Sequence, residues 1–159
     1  MTASALTLRL AVSADSEMIA AMSRKLVEHG LRWTWRPGKV ARQIERRDCI
    51  VLIALDGRRL AGFSIMHYGD DSAHLNLLAV EPHYQHTGVG GRMIRWLEES
   101  ARVAGVFSIS LEVRAINTAA RRFYKSLGYH ETATLHGYYQ GVEDAVRMHH
   151  DLSVDVCLD

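Results

Sequence analysis

The segment Gln85-His86-Thr87-Gly88-Val89-Gly90-Gly91 leaves the chain few ways to run. Ahead of it, residues 73–80 (AHLNLLAV) read as a strand. Behind it, Val89, Met93, Leu97, Ala101 and Ala104 keep a helical period as far as Gly105, which is placed to stop a helix. A glycine-rich connection of this kind takes the backbone from strand to helix in one tight turn. It also leaves several N–H groups unpaired at the positive end of the helix, a ready anion site into which a pyrophosphate would fit. On spacing alone, the plainer reading of a tight connection and nothing more stays open. Two other phosphate turns are excluded: Met93 holds the third glycine's place in G-x-G-x-x-G counted from Gly88, and no Gly-Lys-Ser/Thr follows.

The rest of the chain supplies a frame for that turn. Leu6, Leu8 and Leu10 alternate as a strand; Ser13 or Asp15 could cap a helix carrying Met18, Ile19, Met22 and Leu26, which Gly30 would stop. A loop with Trp33, Trp35 and Pro37 leads into a short second helix through Val40, Ala41 and Ile44. Residues 49–55 and 59–68 form a hairpin about Asp56-Gly57, and Gly69-Asp70-Asp71 turns into strand 73–80. After the helix 88–104 come a strand at 107–113, a helix from Asn117 to Leu127 ended by Gly128, and strands near 129–136 and 144–151. The order β-α-α-β-β-β-α-β-α-β-β predicts an α/β fold, a mixed and mainly antiparallel sheet with flanking helices. At 159 residues and 48% hydrophobic, without a linker or repeat, residues 1–159 read as a single domain.

Composition removes several classes of function. Lys and Arg number 19 against 18 Asp and Glu, a formal +1, so no nucleic-acid partner is expected. The basic stretch of Arg36, Lys39, Arg42, Arg46 and Arg47 reads as a solvated face. Cys49 and Cys157 have no C-x-x-C or zinc spacing and read as free thiols in a reducing compartment. Ala3 to Ala14 is apolar, yet Arg9 interrupts it and no basic segment precedes it, so neither a leader nor a membrane partner is expected. A cytoplasmic protein is the expectation. The histidines, His83, His86, His149 and His150 among them, offer no H-E-x-x-H set, so no metal is expected.

Gln85-x-x-Gly88-x-Gly90 at the head of a helix resembles the acetyl-CoA signature of the GNAT superfamily of N-acetyltransferases. Leu111-Glu112-Val113-Arg114 with Asn117, Ala120, Phe123-Tyr124 and Leu127-Gly128-Tyr129 looks like that family's strand-helix-strand block. Tyr138-Tyr139 followed by Glu143-Asp144-Ala145 and Met148 resembles the end of its ribosomal-protein alanine N-acetyltransferase branch. The likeness spans residues 74–150. It implies acetyl-CoA as cosubstrate, its pyrophosphate on Gln85, His86, Thr87, Gly88, Val89, Gly90 and Gly91, and its pantetheine arm on the backbone of Leu78, Ala79 and Val80. Asn117, an expected N-cap, would also touch the cofactor. His86 stands where the family frequently has arginine.

The same resemblance makes Glu112 the general base and Tyr124 the donor to the leaving thiolate. The chemistry wants both: an amine of pKa about 7.7–8.0 (α) or about 10.4 (Lys) must shed a proton, and a thiolate near 8.5 benefits from receiving one. Without the resemblance, Glu112 would read as a solvated strand residue and Tyr124 as a core aromatic beside Phe123. Tyr138 and Tyr139 would wall the acceptor, with Trp33 and Trp35 opposite, although ordinary packing explains the tryptophans equally well. The leading expectation is direct transfer from acetyl-CoA to a primary amine, a peptide N-terminus in preference to lysine. The alternatives are a small-molecule amine acceptor and a non-catalytic acyl-CoA sensor. Oligomeric state is not legible, a homodimer being one arrangement the pattern allows.

Overall fold

A computed structural model describes residues 6–153. Cys157 and residues 3–5 of the apolar opening lie outside them. The strands are β1 (Thr7–Leu10), β2 (Cys49–Asp56), β3 (Arg59–Tyr68), β4 (Ala73–Val80), β5 (Ser108–Arg114), β6 (His130–Tyr139) and β7 (Glu143–Asp151). The helices are α1 (Ser16–Met22), α2 (Pro37–Glu45), α3 (Val89–Val103) and α4 (Thr118–Ser126). The expected order of elements is the observed one, and the strands hydrogen-bond as β1-β2-β3-β4-β5-β7-β6. Two compact units divide the residues: the first runs to His67 and resumes at Asn76–Leu97, the second holds Tyr68–Leu75 and continues from Glu98.

In the first unit, β2 and β3 pair antiparallel from Cys49↔His67 to Asp56↔Arg59, with an irregularity at Ala54/Leu55. Two residues join them, and Gly57 takes φ +61, the left-handed value such a turn demands. Val51, Ile53, Phe63 and Ile65 bury with Ile19 of α1 and Val40 of α2, so the apolar run of β2 is a strand covered on its faces. Two expectations need correction. Asp15 holds the N-cap position of α1 but gives the helix no side-chain hydrogen bond: its carboxylate turns back to accept from the Val12 N–H at 2.8 Å and from Arg9, across a short 3-10 turn at Ser13–Asp15. Nor does the first helix run regularly to Gly30. Its α-helical part ends at Met22, and Ser23–Val27 widens into a π turn closed by Glu28 N–H to the Ser23 carbonyl, 2.8 Å. Glu28 is buried there and accepts from the Thr34 and Trp35 N–H groups, 2.7 and 3.2 Å, tying the following loop to the helix end.

In the second unit, β4 runs parallel to β5 at Ala73↔Ile109, His74↔Ser110 and Leu75↔Leu111. A parallel pair needs a crossover, and α3 is the one the chain supplies. β5 pairs antiparallel with β7 from Ser108↔Asp151 to Arg114↔Ala145, burying Ile109, Leu111 and Met148. β6 reaches Tyr139, beyond the expected end at 136, because it keeps pairing with β7 to Tyr139↔Glu143 across an irregularity. Asn117 caps α4 as expected, its side chain accepting from the Ala120 N–H at 3.0 Å. Glu98 is buried beside Tyr129 and His150, which donate to its Oε2 from 3.1 and 2.9 Å.

Candidate active site

The glycine-rich turn lies in the first unit. Pro82–Tyr84 forms a single 3-10 turn, capped by Glu81 accepting from the His83 N–H. His86 and Gly88 then take φ +62 and +89, two left-handed residues that swing the chain onto the axis of α3. At Gly88 a Cβ would meet nothing within 4 Å, so glycine answers a backbone requirement there and not crowding. α3 begins at Val89, which puts the Val89, Gly90 and Gly91 amides in its first turn, where no preceding helical carbonyl reaches them. Gln85 to Gly88 are exposed. The arrangement can bind an anion along the helix axis. Gln85 itself donates from Nε2 to the Val80 carbonyl, 3.0 Å, and Thr87 donates to the Tyr84 carbonyl, so both side chains brace the turn. Ala79 is buried and Leu78 and Val80 half-buried on β4; the Ala79 carbonyl lies where a Cβ on Gly62 would come within 2.8 Å.

The second unit holds both residues expected to move protons, Glu112 and Tyr124. Glu112, near the end of β5, has a side chain 7% exposed. His74 Nε2 meets its Oε2 at 2.5 Å, and Arg147 donates to Oε1 from Nη2 at 3.0 Å and Nε at 3.2 Å. An ionised carboxylate only accepts, so the His74 Nε2 carries the hydrogen. Burial works to raise the Glu112 carboxyl; the His74 and Arg147 contacts outweigh it and leave the group below the usual carboxylate range. Tyr124 is 6% exposed on α4, its ring 5.1 Å from that of Phe123 and 5.6 Å from that of Tyr129. Burial, with the charge of Tyr139 as a lesser cause, pushes its phenol well above the ordinary value. It holds its proton at neutral pH.

Tyr138 and Tyr139 sit at the end of β6 and not in the loop after it, their rings edge to face at 5.0 Å. Tyr138 is 47% exposed, and Arg114 both lies over Tyr139 and pairs with Glu143 at 2.7 Å. Trp33 and Trp35 belong to the first unit, packed against its core under cations: Arg24 and Arg36 over Trp33, Lys39 over Trp35 at 4.0 Å. Two residues around Glu112, His74 and Arg147, escaped the sequence reading. Arg147 faces Glu112 in the β5–β7 register; His74 is on β4, and the parallel pairing that brings it to β5 has no local sequence signal. Only the alternation of β4, which sets His74, Asn76, Leu78 and Val80 on one half-exposed face, could have hinted at it. Among the described residues no three of His, Cys, Asp and Glu form a metal-binding group, and no helix is long and apolar enough to cross a membrane.

A helix start able to accept an anion, and later in the chain a buried carboxylate and a buried phenol, are groups that acyl transfer from a phosphate-bearing thioester can use. The family model for the acetyltransferase (GNAT) family matches residues 19–129. The chain belongs to that family and is an acetyl-CoA-dependent N-acetyltransferase. It is similar to the [ribosomal protein bS18]-alanine N-acetyltransferase of Salmonella typhimurium, 33% identical over 142 residues, 87% of this chain and 94% of that one. The crystal structure of the ribosomal-protein-S18-alanine N-acetyltransferase from Escherichia coli matches it with TM-score 0.80 and 27% identity, over 92% of this chain and 94% of that. A Bacillus anthracis acetyltransferase solved in complex with acetyl coenzyme A matches with TM-score 0.63 and 25% identity, over 69% and 66% of the two chains.

Proposed function

We propose that the protein acetylates the α-amine at the N-terminus of a peptide or protein, with acetyl-CoA as donor and the whole chain acting as one acetyltransferase domain. The observation that carries the reading is the Glu112 carboxylate, buried yet kept ionised by His74 and Arg147, in the same unit as a fully protonated Tyr124. Glu112 serves proton removal from the amine; Tyr124 hands a proton to the departing thiolate. The amides of Gln85 to Gly91 take the pyrophosphate, the backbone of Leu78 to Val80 the pantetheine arm and acetyl carbonyl, and Asn117 a further cofactor contact. His86 contributes its amide where the family frequently offers an arginine side chain. Transfer is direct: Cys49 is pushed up to about 11 by burial, which leaves no ready nucleophile for a covalent intermediate among the described cysteines.

Tyr138, Tyr139, Trp33 and Trp35 are the acceptor-contacting residues of this reading, ring faces against an extended backbone. The Salmonella relative's named substrate, a ribosomal protein, favours a protein acceptor. Chemistry favours the α-amine, since a lysine lies about three units higher in pKa and costs roughly 4 kcal/mol more to deprotonate near neutrality. A cytoplasmic setting, where acetyl-CoA is made available and thiols stay reduced, suits the same reading. The test is an acceptor screen with acetyl-CoA: short peptides with free or blocked N-termini, each with one internal lysine, beside small polyamines. Acetylation of free N-termini alone is expected. Equal acetylation of blocked peptides, or activity confined to polyamines, would overturn the acceptor assignment.

A further inference from the structure

The turn that leads into α3 is shaped by local bonds and located by distant ones. Within it, the Tyr84 N–H donates to the Glu81 carbonyl, Gln85 reaches back to Val80, and Thr87 donates to the Tyr84 carbonyl, all between residues no more than five apart. Such bonds fix a shape and leave its place open. Contacts with β2 and β3, in the same unit, tie the turn down. The Glu81 N–H donates to the Ala61 carbonyl at 2.8 Å, and the Tyr84 hydroxyl donates to Asp56 Oδ2 at 2.6 Å, 28 residues away at the end of β2. Tyr84 is 4% exposed, while Gln85 to Gly88 beyond it are exposed. Arg59 lies over its ring at 5.5 Å and pairs with Glu81 at 3.7 Å. The Asp56 bond, ahead of burial, raises the phenol above its ordinary value, so the hydroxyl keeps the proton it donates.

We propose that Tyr84 and Asp56 are positioning residues for the cosubstrate: their hydrogen bond fixes where the amides of the glycine-rich turn stand, and so sets affinity for the pyrophosphate of acetyl-CoA. The proposal rests on the assignment of the pyrophosphate to Gln85 through Gly91 and adds the part of the fold that holds that site in place. Asp56, a carboxylate, is no contact for an anion and acts through Tyr84. Tyr84 leads directly into Gln85 and its carbonyl receives the Thr87 hydroxyl, so a shift of the ring is passed to residues whose amides face the anion. Between them His86 stands at φ +62, a conformation that a non-glycine residue keeps where its surroundings enforce it. The anchored ring on one side and α3 on the other supply that constraint. The amides are thereby set before the ligand arrives, which spares part of the ordering cost of binding.

Tyr84→Phe deletes the bond and keeps the ring. Its KM for acetyl-CoA, measured with an acceptor from the screen, should rise about tenfold with kcat at saturation unchanged. With S-acetylpantetheine, a donor that lacks the pyrophosphate, kcat/KM should be the same in variant and wild type. Asp56→Ala should reproduce the rise and Asp56→Asn should recover most of the affinity, because the amide oxygen still accepts and Asn-Gly suits the same hairpin turn. A Tyr84→Phe KM equal to that of wild type, or an equal loss with both donors, would overturn the proposal. A second measurement needs neither ligand nor turnover: amide hydrogen exchange read by NMR. The Tyr84 and Gln85 amides, both bonded within the turn, should exchange faster in Tyr84→Phe while those of β2 and β3 stay as in wild type. Unchanged exchange in the turn, or faster exchange throughout the unit, would also overturn it. A wild type that uses acetyl-CoA no better than S-acetylpantetheine refutes the pyrophosphate assignment instead, and the exchange rates still report on the anchor.

Discussion

Tyr124 is held by two neighbouring rings and by burial, so removing its hydroxyl changes little packing. Tyr124→Phe should therefore lower kcat by about 10²- to 10⁴-fold while leaving acetyl-CoA affinity nearly intact; steady-state rates beside a binding titration check it. Wild-type turnover would return the residue to the core. Glu112 leaves a second mark, on stability. Its folded carboxyl sits below its unfolded value of about 4.3, so the stabilisation it brings is complete above that pH and disappears as pH falls through the folded value. Melting temperature followed from about pH 6 to pH 3 should drop less steeply in Glu112→Gln. The curve will not become flat, because Arg9 holds the Asp15 carboxyl low in the same direction. Glu112 and Tyr124 were legible in the chain only through motif resemblance. The two oxygens of Glu112 find their partners through pairings with β4 and β7, and no window of sequence contains both.

Elements whose ends are written in local chemistry were read correctly. Asn117 caps α4, Gly57 turns the β2–β3 hairpin, and Gly128 stops α4 with φ +99. Ends decided by distant partners were not. α1 yields to a π turn where Glu28 is drawn to the Thr34 and Trp35 amides, and β6 runs to Tyr139 because β7 continues to pair with it. Gly128 has a tertiary role besides its backbone one: an added Cβ would stand 2.8 Å from the Nε2 of His150, whose other nitrogen is bonded to Glu98. Gly128→Ala thus meets strain and collision together and should cost about 1–3 kcal/mol, read from the urea midpoint. A midpoint equal to wild type would mean that the β7 end gives way freely.

For the molecule as a whole, the testable quantity is linkage to its cosubstrate. Acetyl-CoA binding only the native state should add about 2.7 kcal/mol at a hundredfold excess over Kd, seen as a rise in melting temperature. Gly90→Val, which sets a β-branched side chain in the first turn of α3, should abolish most of that rise. Absence of any rise in wild type would contradict the turn's assigned role. The cations stacked on Trp33 and Trp35 have a reach beyond those rings. Residues 24–47 carry eight Lys or Arg against two Glu, a net +6, so the remaining 11 cations and 16 carboxylates sum to −5 within a chain of formal charge +1. Near-neutrality here conceals a separated field. At about 0.01 M salt, where screening extends roughly 30 Å, polyanions such as acetyl-CoA are steered toward the first unit; near 0.15 M the pull shrinks to about 8 Å, and the rate of encounter falls with it.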